Sequence, residues 1–540
     1  MRFTLRTLVE RNARLWPDSV ALIEDDTQVS WSQFAARVAR LRTGLKGQGL
    51  GVGSRVAVLD RTSINYVALQ YALCGIGAVM VPINVWYRSG EVAHVLDDTE
   101  PDAFVVGGAQ LELGEKALQR AAVAPTLISH EAPDLPAAAR LEDLMGESIP
   151  ADTAPEPVGW DAPHMILYTS GTSSRPKGVV QTQRRALVDA FSAIGVLGLQ
   201  HEDRLLCYFA LFHTAGWDYI KMMFVAGGSV VLLPAFDAEQ AVEAIERHRC
   251  TFAYALPLMQ QRMFASKAWP TADLSSFRLL GFGTADSSAV DFDAVIGAFA
   301  ERGASIELAA LYGLTEGGPF VSILRPTTDH ALLVSVGRPV PHADVALLDD
   351  SLNEVPRGEP GEICVRSEAV LTEYWRQPEA TEAVMRGDWM HTGDLGRIDD
   401  QGYLFIVGRK KEMIRTGAEN VFPREVELVL LQHPAVEDCA VIGVPDPEYE
   451  ERVVAVVVAS QSVEPDEAAL IAHVRREIAG YKTPKNVVFV DELPRTGSEK
   501  LGTAKLNKAA LRERYEALAL TQSSATTPDV TESLSAEQRA

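Results

Sequence analysis

Three short apolar runs limit the fold of this chain most strongly. They lie at Arg55–Leu59, Phe104–Val106 and Ser229–Leu233, and none of them alternates apolar with polar residues. A strand without that alternation is buried on both faces, which is typical of parallel sheets covered by helices. Because helical patterns separate the runs, the sequence predicts a layered α/β body.

The amino-terminal segment carries clear local signals. A strand is predicted at Val20–Glu24, followed by a turn at Asp25-Asp26 and a helix capped by Ser30, with Gln33 completing a capping box. One face of this predicted helix is apolar and comprises Trp31, Phe34, Val38, Leu41 and Leu45. That face should pack against the body.

The pattern changes in the last third of the chain. Short strands with Gly and Pro turns fill the stretch from Gly358 to Phe405. After Gly408 and the basic run Arg409–Lys411, the sequence predicts a smaller α+β domain. Its predicted elements are a helix at Val421–Gln432 and strands at Val436–Val444 and Val453–Val458. We therefore predict a large domain over residues 1–408, a small domain over 409–516 and a disordered tail over 517–540.

Length and charge exclude several classes of protein. A chain of 540 residues is too long for a single hydrophobic core. Its net charge of −23 argues against a nucleic-acid partner, because such binding relies on basic patches. The longest apolar stretch, Met222–Phe236, is interrupted by Gly and Pro and is shorter than the ~20 residues of a spanning helix. With no signal-like run at the amino terminus, we expect no membrane span and a cytoplasmic location.

The cysteines indicate no metal site or disulfide framework. They are scattered, odd in number, and show no CxxC spacing or neighbouring His cluster. We predict that all of them are reduced packing residues, namely Cys74, Cys207, Cys250, Cys364 and Cys439.

A loop rich in Gly, Ser and Thr spans Leu167–Gly178. Glycines let backbone N–H groups approach a phosphate closely, and hydroxyl and ammonium groups add donors. It is not a Walker A loop, because Pro176 stands directly before Lys177. By composition alone the loop is either an anion site or a solvated turn. Its candidate ligands are Thr169, Ser170, Gly171, Thr172 and Lys177.

This loop, YTSGTSSRPKGVV, resembles the signature loop of the adenylate-forming superfamily, which comprises acyl-CoA synthetases, peptide-synthetase adenylation domains and luciferases. Further motifs of that family follow in order, and the resemblance extends from about Thr4 to Leu511. It implies an α/β fold: a large N-terminal layered α/β body with a distorted β-barrel-like subdomain, plus a small mobile α+β C-terminal domain. It also implies ATP, Mg²⁺ and coenzyme A as cofactors.

Two further motifs resemble nucleotide-binding segments of the family. Leu311–Gly317 is similar to the YGxTE motif, which places Tyr312, Thr315 and Glu316 beside the triphosphate, with Glu316 and Thr169 as Mg²⁺ ligands. In Trp389–Arg397, Asp394 is the implied acceptor for both ribose hydroxyls.

Three other segments carry implied ligands. Leu280–Asp286 corresponds to the adenine-binding loop, and the residues implied there are Gly283, Thr284 and Ala285. The segment Ala210–Gly216 resembles the one that places His213 beside the acyl carboxylate. Arg409 resembles the arginine that also reaches the nucleotide.

The catalytic lysine of the small domain has two candidates. Counting from Pro494 selects Lys500, whereas the downstream pattern ending in Leu511 and Arg512 selects Lys505, which we favour. In the family this domain rotates about a hinge, here Lys411, so that a thiol can reach the adenylate past Gly417.

The resemblance implies an ATP-dependent acyl-CoA ligase, which forms an acyl-AMP and pyrophosphate and then passes the acyl group to the CoA thiol. Its small-molecule partners would be a carboxylic acid, ATP and CoA, and a homodimer is compatible with the sequence. Two alternatives stay open: an acyl-AMP ligase that loads a carrier protein, and a non-catalytic nucleotide-binding regulator. The acyl substrate is not readable from the sequence.

Overall fold

The chain forms two compact units. The computed structural model describes residues 3–132, 135–146, 156, 158–169, 176–283, 291–416, 419–446, 449–460, 463, 466–496 and 505–523. The larger unit comprises Met1–Thr392 and Arg397–Ile406, and the smaller unit comprises Gly393–Gly396 and Val407–Ala540. The predicted domain bounds stay predictions.

Helices and strands alternate through most of the described chain. The helices are α1 (Leu5–Leu15), α2 (Trp31–Gly47), α3 (Ile64–Ile76), α4 (Ser89–Thr99), α5 (Leu111–Leu118), α6 (Leu141–Leu144), α7 (Gln183–Leu197), α8 (Thr214–Ala226), α9 (Ala238–His248), α10 (Pro257–Phe264), α11 (Phe292–Ala300), α12 (His330–Leu333), α13 (Pro378–Val384), α14 (Pro423–Leu430), α15 (Glu467–Glu477) and α16 (Lys508–Ser523). Helix α16 continues past residue 517, where the predicted tail begins.

The strands of the larger unit are β1 (Val20–Glu24), β2 (Thr27–Ser30), β3 (Arg55–Leu59), β4 (Val79–Pro82), β5 (Ala103–Gly107), β6 (Thr126–His130), β7 (Ala139–Arg140), β8 (Pro163–Thr169), β9 (Lys177–Thr182), β10 (Arg204–Cys207), β11 (Ser229–Leu232), β12 (Phe252–Tyr254), β13 (Leu279–Gly283), β14 (Glu307–Leu314), β15 (Gly318–Ile323), β16 (Arg338–Pro339), β17 (Ala343–Leu348), β18 (Gly361–Ser367) and β19 (Met385–Arg386). Two strands carry the chain between the units, namely β20 (Trp389–Ile398) and β21 (Leu404–Arg409). The smaller unit has β22 (Ile414–Thr416), β23 (Glu419–Val421), β24 (Val436–Asp446), β25 (Glu450–Ala459), β26 (Asn486–Val490), β27 (Arg495–Thr496) and β28 (Lys505–Leu506).

Two large, mostly parallel sheets build the larger unit. One has the order β16-β15-β14-β13-β12-β10-β11-β1-β2, and the other has the order β7-β6-β5-β3-β4-β8-β9. The three apolar runs of the sequence are β3, β5 and β11, each buried and each paired in parallel with a neighbour. The structure therefore confirms the predicted layered α/β body.

Helices α2, α3, α7 and α8 join the two sheets into one hydrophobic core. Helix α3 is buried along nearly its whole length, as expected for a helix between two layers. Helix α2 begins as predicted, with Ser30 as its N-cap and Gln33 closing the capping box, and its predicted apolar face is buried.

Strands β17, β18, β19, β20 and β21 form the sheet that corresponds to the predicted barrel-like subdomain. The smaller unit is an α+β unit with the strand order β23-β22-β25-β24, and β26 pairs in parallel with β25. The predicted α/β fold class is confirmed.

The start of one helix was predicted wrongly. We placed a helix over Val421–Gln432, but Val421 pairs with Ile414 in a hairpin, and α14 begins at Pro423. Proline suits the first helical position because its missing N–H has no partner there.

The five cysteines are buried and free, as predicted. Within the described residues, no helix is both long and apolar enough to cross a membrane.

Candidate active site

Strands β8 and β9 hold the ends of the phosphate loop. Thr169 is the last residue of β8 and pairs with Lys177, the first residue of β9. The prediction of a loop over Leu167–Gly178 was wrong at both ends, because Leu167 and Gly178 are paired residues of β8 and β9. Ser170, Gly171 and Thr172 lie outside the described residues.

Thr315 and Glu316 occupy the turn between β14 and β15. Gly318 follows with a φ of +102°, a backbone conformation that glycine adopts without steric cost. The carboxylate of Glu316 is half-buried, and its Oε1 accepts a hydrogen bond of 2.9 Å from the hydroxyl of Tyr374. This turn therefore presents a carboxylate that accepts from a neutral donor.

The side chain of Lys177 reaches the same tyrosine. Its ammonium nitrogen lies 5.1 Å from the centroid of the Tyr374 ring, within the range of a cation–π contact. The structure thus brings together Lys177 and Glu316, two predicted site residues that are far apart in sequence. Tyr374 was missed, because the sequence offered no signal stronger than an aromatic residue before a helix start.

A buried arginine holds the turn between β14 and β15 through a hydrogen bond. Arg185, on α7, donates a hydrogen bond from Nη2 to the carbonyl oxygen of Thr315. Burial lowers the pKa of this guanidinium, and the charge of Asp189 works against that shift. A charged residue on the apolar face of a helix, beside Ala186 and Ala190, was the signal that could have identified it.

Asp189 belongs to the same buried group. Its Oδ1 lies 3.1 Å from Nε2 of His342, and burial raises the pKa of the carboxyl to about 6 while His342 opposes the shift. The turn that carries Glu316 is therefore supported by charged groups that are buried from water.

Two other predicted nucleotide ligands lie at strand ends of the first large sheet. Tyr312, on β14, is buried and belongs to a hydrophobic cluster with Val179 and Met390. Gly283 ends β13, and a Cβ there would lie 2.1 Å from the Tyr254 hydroxyl, so only glycine fits without movement. Thr284 and Ala285 lie outside the described residues.

His213 precedes α8 as its N-cap residue and is exposed. Its ring centroid lies 4.6 Å from that of Phe212, which in turn packs edge to face on Trp86 at 4.9 Å. Trp217, on α8, is fully buried in the core against Tyr66.

The smaller unit contains the predicted ribose ligand. Arg409 Nε lies 2.7 Å from Oδ1 of Asp394, and Asp394 is buried. Burial lowers the pKa of Lys411, the predicted hinge residue.

One of the two candidate lysines lies in the described β27–β28 hairpin. Lys505 pairs with Thr496 in this hairpin, whereas Lys500 and Gly417 lie outside the described residues. Lys508, the first residue of α16, forms ion pairs with Glu427 at 2.7 Å and Glu412 at 3.4 Å.

One cluster of buried polar side chains was not predicted from the sequence. Side-chain atoms of Glu362, Cys364 and His391 all lie within 4.8 Å of one another, although His391 stands 27 residues after Cys364 in the sequence. Arg386 donates to Glu362 Oε2 at 3.2 Å and lies 2.7 Å from His391 Nδ1. The guanidinium of Arg386 already supplies the positive charge that a metal ion would bring to this cluster. We therefore interpret the cluster as a buried ion-pair network. Pairing of β18 with β20 creates it, which sequence spacing could not reveal.

Comparisons with known proteins agree with the resemblance. Residues 9–375 match the AMP-binding enzyme family, and residues 425–500 match the AMP-binding enzyme C-terminal domain. A feruloyl-CoA synthase of an Amycolatopsis species is 36% identical over 508 residues, covering 94% of this chain and 98% of that protein. An indoleacetate–CoA ligase of Aromatoleum aromaticum is 35% identical over 515 residues, with the same coverage.

Solved structures of similar proteins share the fold. A fatty acyl CoA synthetase of Mycobacterium tuberculosis superposes with a TM-score of 0.75 at 31% identity, covering 95% of this chain and 99% of that one. An anthranilate CoA ligase in complex with anthranoyl-AMP gives a TM-score of 0.83 at 27% identity, covering 96% and 98%. The chain therefore belongs to the AMP-binding enzyme family and is an acid–thiol ligase of the acyl-CoA synthetase type.

Proposed function

We propose that this chain is an ATP-dependent acyl-CoA ligase that works in two steps. First, a carboxylate oxygen of the acid attacks the α-phosphorus of ATP, the bond to the bridging oxygen breaks, and pyrophosphate leaves. The product is an acyl-adenylate, a mixed anhydride. Next, the thiolate sulfur of CoA attacks the acyl carbon, and AMP leaves with the electron pair of the broken C–O bond.

The observation that carries this proposal is the contact of both Lys177 and Glu316 with Tyr374. The first step brings an anionic acid to an anionic triphosphate, so it needs positive charge directed at the phosphates. Lys177 supplies one such charge, and Thr169 at the opposite strand end adds a hydroxyl donor. In the first step we assign the loop residues Ser170, Gly171 and Thr172 to the same phosphates.

Glu316 and Thr169 are the proposed ligands of Mg²⁺. A half-buried carboxylate and a hydroxyl form a hard oxygen donor set, which fits this ion. When bound, Mg²⁺ would neutralise part of the charge on the phosphate oxygens.

We assign the ribose hydroxyls to Asp394. Its present partner, Arg409, is a cation, and the vicinal hydroxyls would be additional donors to the same carboxylate. Gly283, Thr284 and Ala285 are assigned to adenine, and Tyr312 is assigned to the nucleotide. Lys411 is assigned to the hinge about which the small domain would rotate after the first half-reaction. A cytoplasmic location and a homodimer stay predictions.

The proposed acid carries an aromatic ring. His213, assigned to the acyl carboxylate, is part of an aromatic group with Phe212 and Trp86. Relatives named for ferulate and indoleacetate support this class. A relative named as a long-chain-fatty-acid–CoA ligase, 32% identical over 515 residues, makes fatty acids the comparison group.

One observation supports a carrier protein as a second acceptor of the acyl group. A fatty acid–[acyl-carrier-protein] ligase of Streptomyces coeruleorubidus is 31% identical over 529 residues. A pantetheine thiol on a carrier protein could attack the same adenylate, so both acceptors are tested.

The deciding experiment is pyrophosphate release from ATP and Mg²⁺ across a panel of aromatic and aliphatic acids, with CoA, with a phosphopantetheinylated carrier protein, or with neither. Acid-dependent release with an acyl-CoA product supports the ligase. Release with acyl transfer only to the carrier favours the second acceptor. ATP binding without release for any acid favours a nucleotide-binding regulator.

Paired variants locate the catalytic lysine. Lys505→Ala should lower the rate of pyrophosphate release by about 100-fold or more, because a cation aimed at developing charge is lost. Lys500→Ala, at the second candidate lysine, is the matched control and should retain the rate. The opposite result would assign the role to Lys500.

Gly417→Leu should separate the two steps. A side chain at the proposed thiol channel should block thioester formation while acid-dependent pyrophosphate release continues. Equal loss of both activities, measured by product analysis, would contradict the assignment of Gly417.

A further inference from the structure

One short segment is tied to both halves of the phosphate site. Residues 371–375, here called the 371–375 strap, run beside β9 and the Glu316 turn. The Trp375 amide donates to the Gly178 carbonyl at 2.7 Å, and the Leu371 amide donates to the Glu316 carbonyl at 2.7 Å. The strap therefore has a fixed position relative to both.

The strap is also anchored on its outer side. The indole nitrogen of Trp375 donates to the carbonyl oxygen of Asp98 at 3.1 Å, and the Tyr374 amide donates to the Thr381 hydroxyl at 2.9 Å. Tyr374 itself is only 5% exposed. Its side chain thus has little freedom to leave the position between Lys177 and Glu316.

The two charged groups contact different parts of this side chain. Lys177 lies against the ring, and Glu316 accepts from the hydroxyl. A phenol ordinarily loses its proton only near about pH 10, so the hydroxyl donates to Glu316 as a neutral group at neutral pH.

A direct pair between the lysine and the glutamate would cancel the charges that the proposed reaction needs. A neutral phenol fixes the carboxylate without cancelling its charge, and an aromatic ring holds an ammonium without neutralising it. An unheld glutamate would also lose side-chain freedom on binding a ligand. Preorganisation by Tyr374 removes that cost.

We propose that Tyr374 is a positioning residue that keeps Lys177 and Glu316 apart and fixed, so that the first stays available to phosphate and the second to the Mg²⁺ that accompanies ATP. This inference rests on the proposed function. It concerns how the site is held open in the protein before the nucleotide binds.

The test measures ATP binding by isothermal titration calorimetry over a series of Mg²⁺ concentrations, together with pyrophosphate exchange. Tyr374→Phe keeps the ring and removes the hydroxyl. It should raise the Mg²⁺ concentration for half-maximal ATP binding by about tenfold, the size expected for one hydrogen bond to a charged group. Saturating Mg²⁺ should restore the exchange rate to within a few-fold.

Tyr374→Leu removes the ring as well, so Lys177 and Glu316 could pair directly. Saturating Mg²⁺ should then fail to restore exchange. Tyr403→Phe is the matched control, since Tyr403 also has a cation over its ring, with Arg338 at 4.5 Å from the centroid. It should behave as the wild type.

The outcomes separate the two proposals. If the wild type binds ATP without any dependence on Mg²⁺, the proposed role of Glu316 fails. If the wild type depends on Mg²⁺ and Tyr374→Phe shows the same dependence, the inference about Tyr374 is overturned. A uniform loss of exchange at every Mg²⁺ concentration would equally overturn it, because it would indicate a merely structural role.

Discussion

Glu316 and Glu362 are two carboxylates of the larger unit with different hydrogen-bond donors. Glu316 is half-buried at a turn and accepts from a neutral phenol. Glu362 is 4% exposed and lies 3.2 Å from the guanidinium of Arg386 and 3.0 Å from the imidazole of His391. The partner of each carboxylate decides what its charge can do.

A carboxylate fixed by a neutral donor keeps its full charge for an incoming cation, whereas one beside a guanidinium is already compensated. Burial adds to the contrast, because a buried charge that loses its partner cannot be stabilised by water. We expect chemistry to depend on Glu316 and stability to depend on Glu362.

The largest expected effect comes from Glu316→Gln. It removes the proposed Mg²⁺ ligand and should lower acid-dependent pyrophosphate exchange by about 100-fold or more, at an unchanged melting temperature. Exchange assays and thermal unfolding monitored by circular dichroism would check this. Retained exchange would remove the distinction between the two carboxylates.

Glu362→Gln should give the opposite pattern. Losing a charge-assisted hydrogen bond in a buried network should lower the free energy of unfolding by about 2 kcal/mol, while exchange persists. Glu100→Gln is a control, because Glu100 pairs with Arg376 at the surface and should matter little. Urea unfolding would measure both variants, and an unchanged midpoint for Glu362→Gln would contradict the comparison.

Asp189 is a third buried carboxylate that extends the comparison, because its partner is the imidazole of His342 at 3.1 Å. Burial raises the pKa of Asp189 to about 6, above its value in the unfolded chain. Its contribution to stability is therefore present at low pH and lost as the pH rises through about 6. Asp189→Asn should gain stability relative to the wild type by about 1 kcal/mol between pH 5 and pH 7.

The measurement is urea unfolding of both proteins at several pH values in that window. Asp161→Asn, at an exposed carboxylate, is the control and should show no such trend. A difference between Asp189→Asn and the wild type that does not change with pH would contradict the raised pKa.

Much of the fold was predictable from local patterns. Strands β1 and β3 match the predicted bounds, and α2 begins at its predicted cap. Those features depend on neighbours within a few residues. Helix α14 and the phosphate loop were placed less well, since Val421, Thr169 and Lys177 belong to strands whose partners lie elsewhere in the chain.

The sequence alone determined the family, the α/β class and the residues expected to meet ATP, because these follow from short motifs and from hydrophobic periodicity. Only the tertiary structure revealed Tyr374 between Lys177 and Glu316, Arg185 under Thr315, and Cys364 beside His391. Each of these contacts joins residues from separate elements. Strand pairing and helix packing decide such contacts, and no spacing along the chain encodes them.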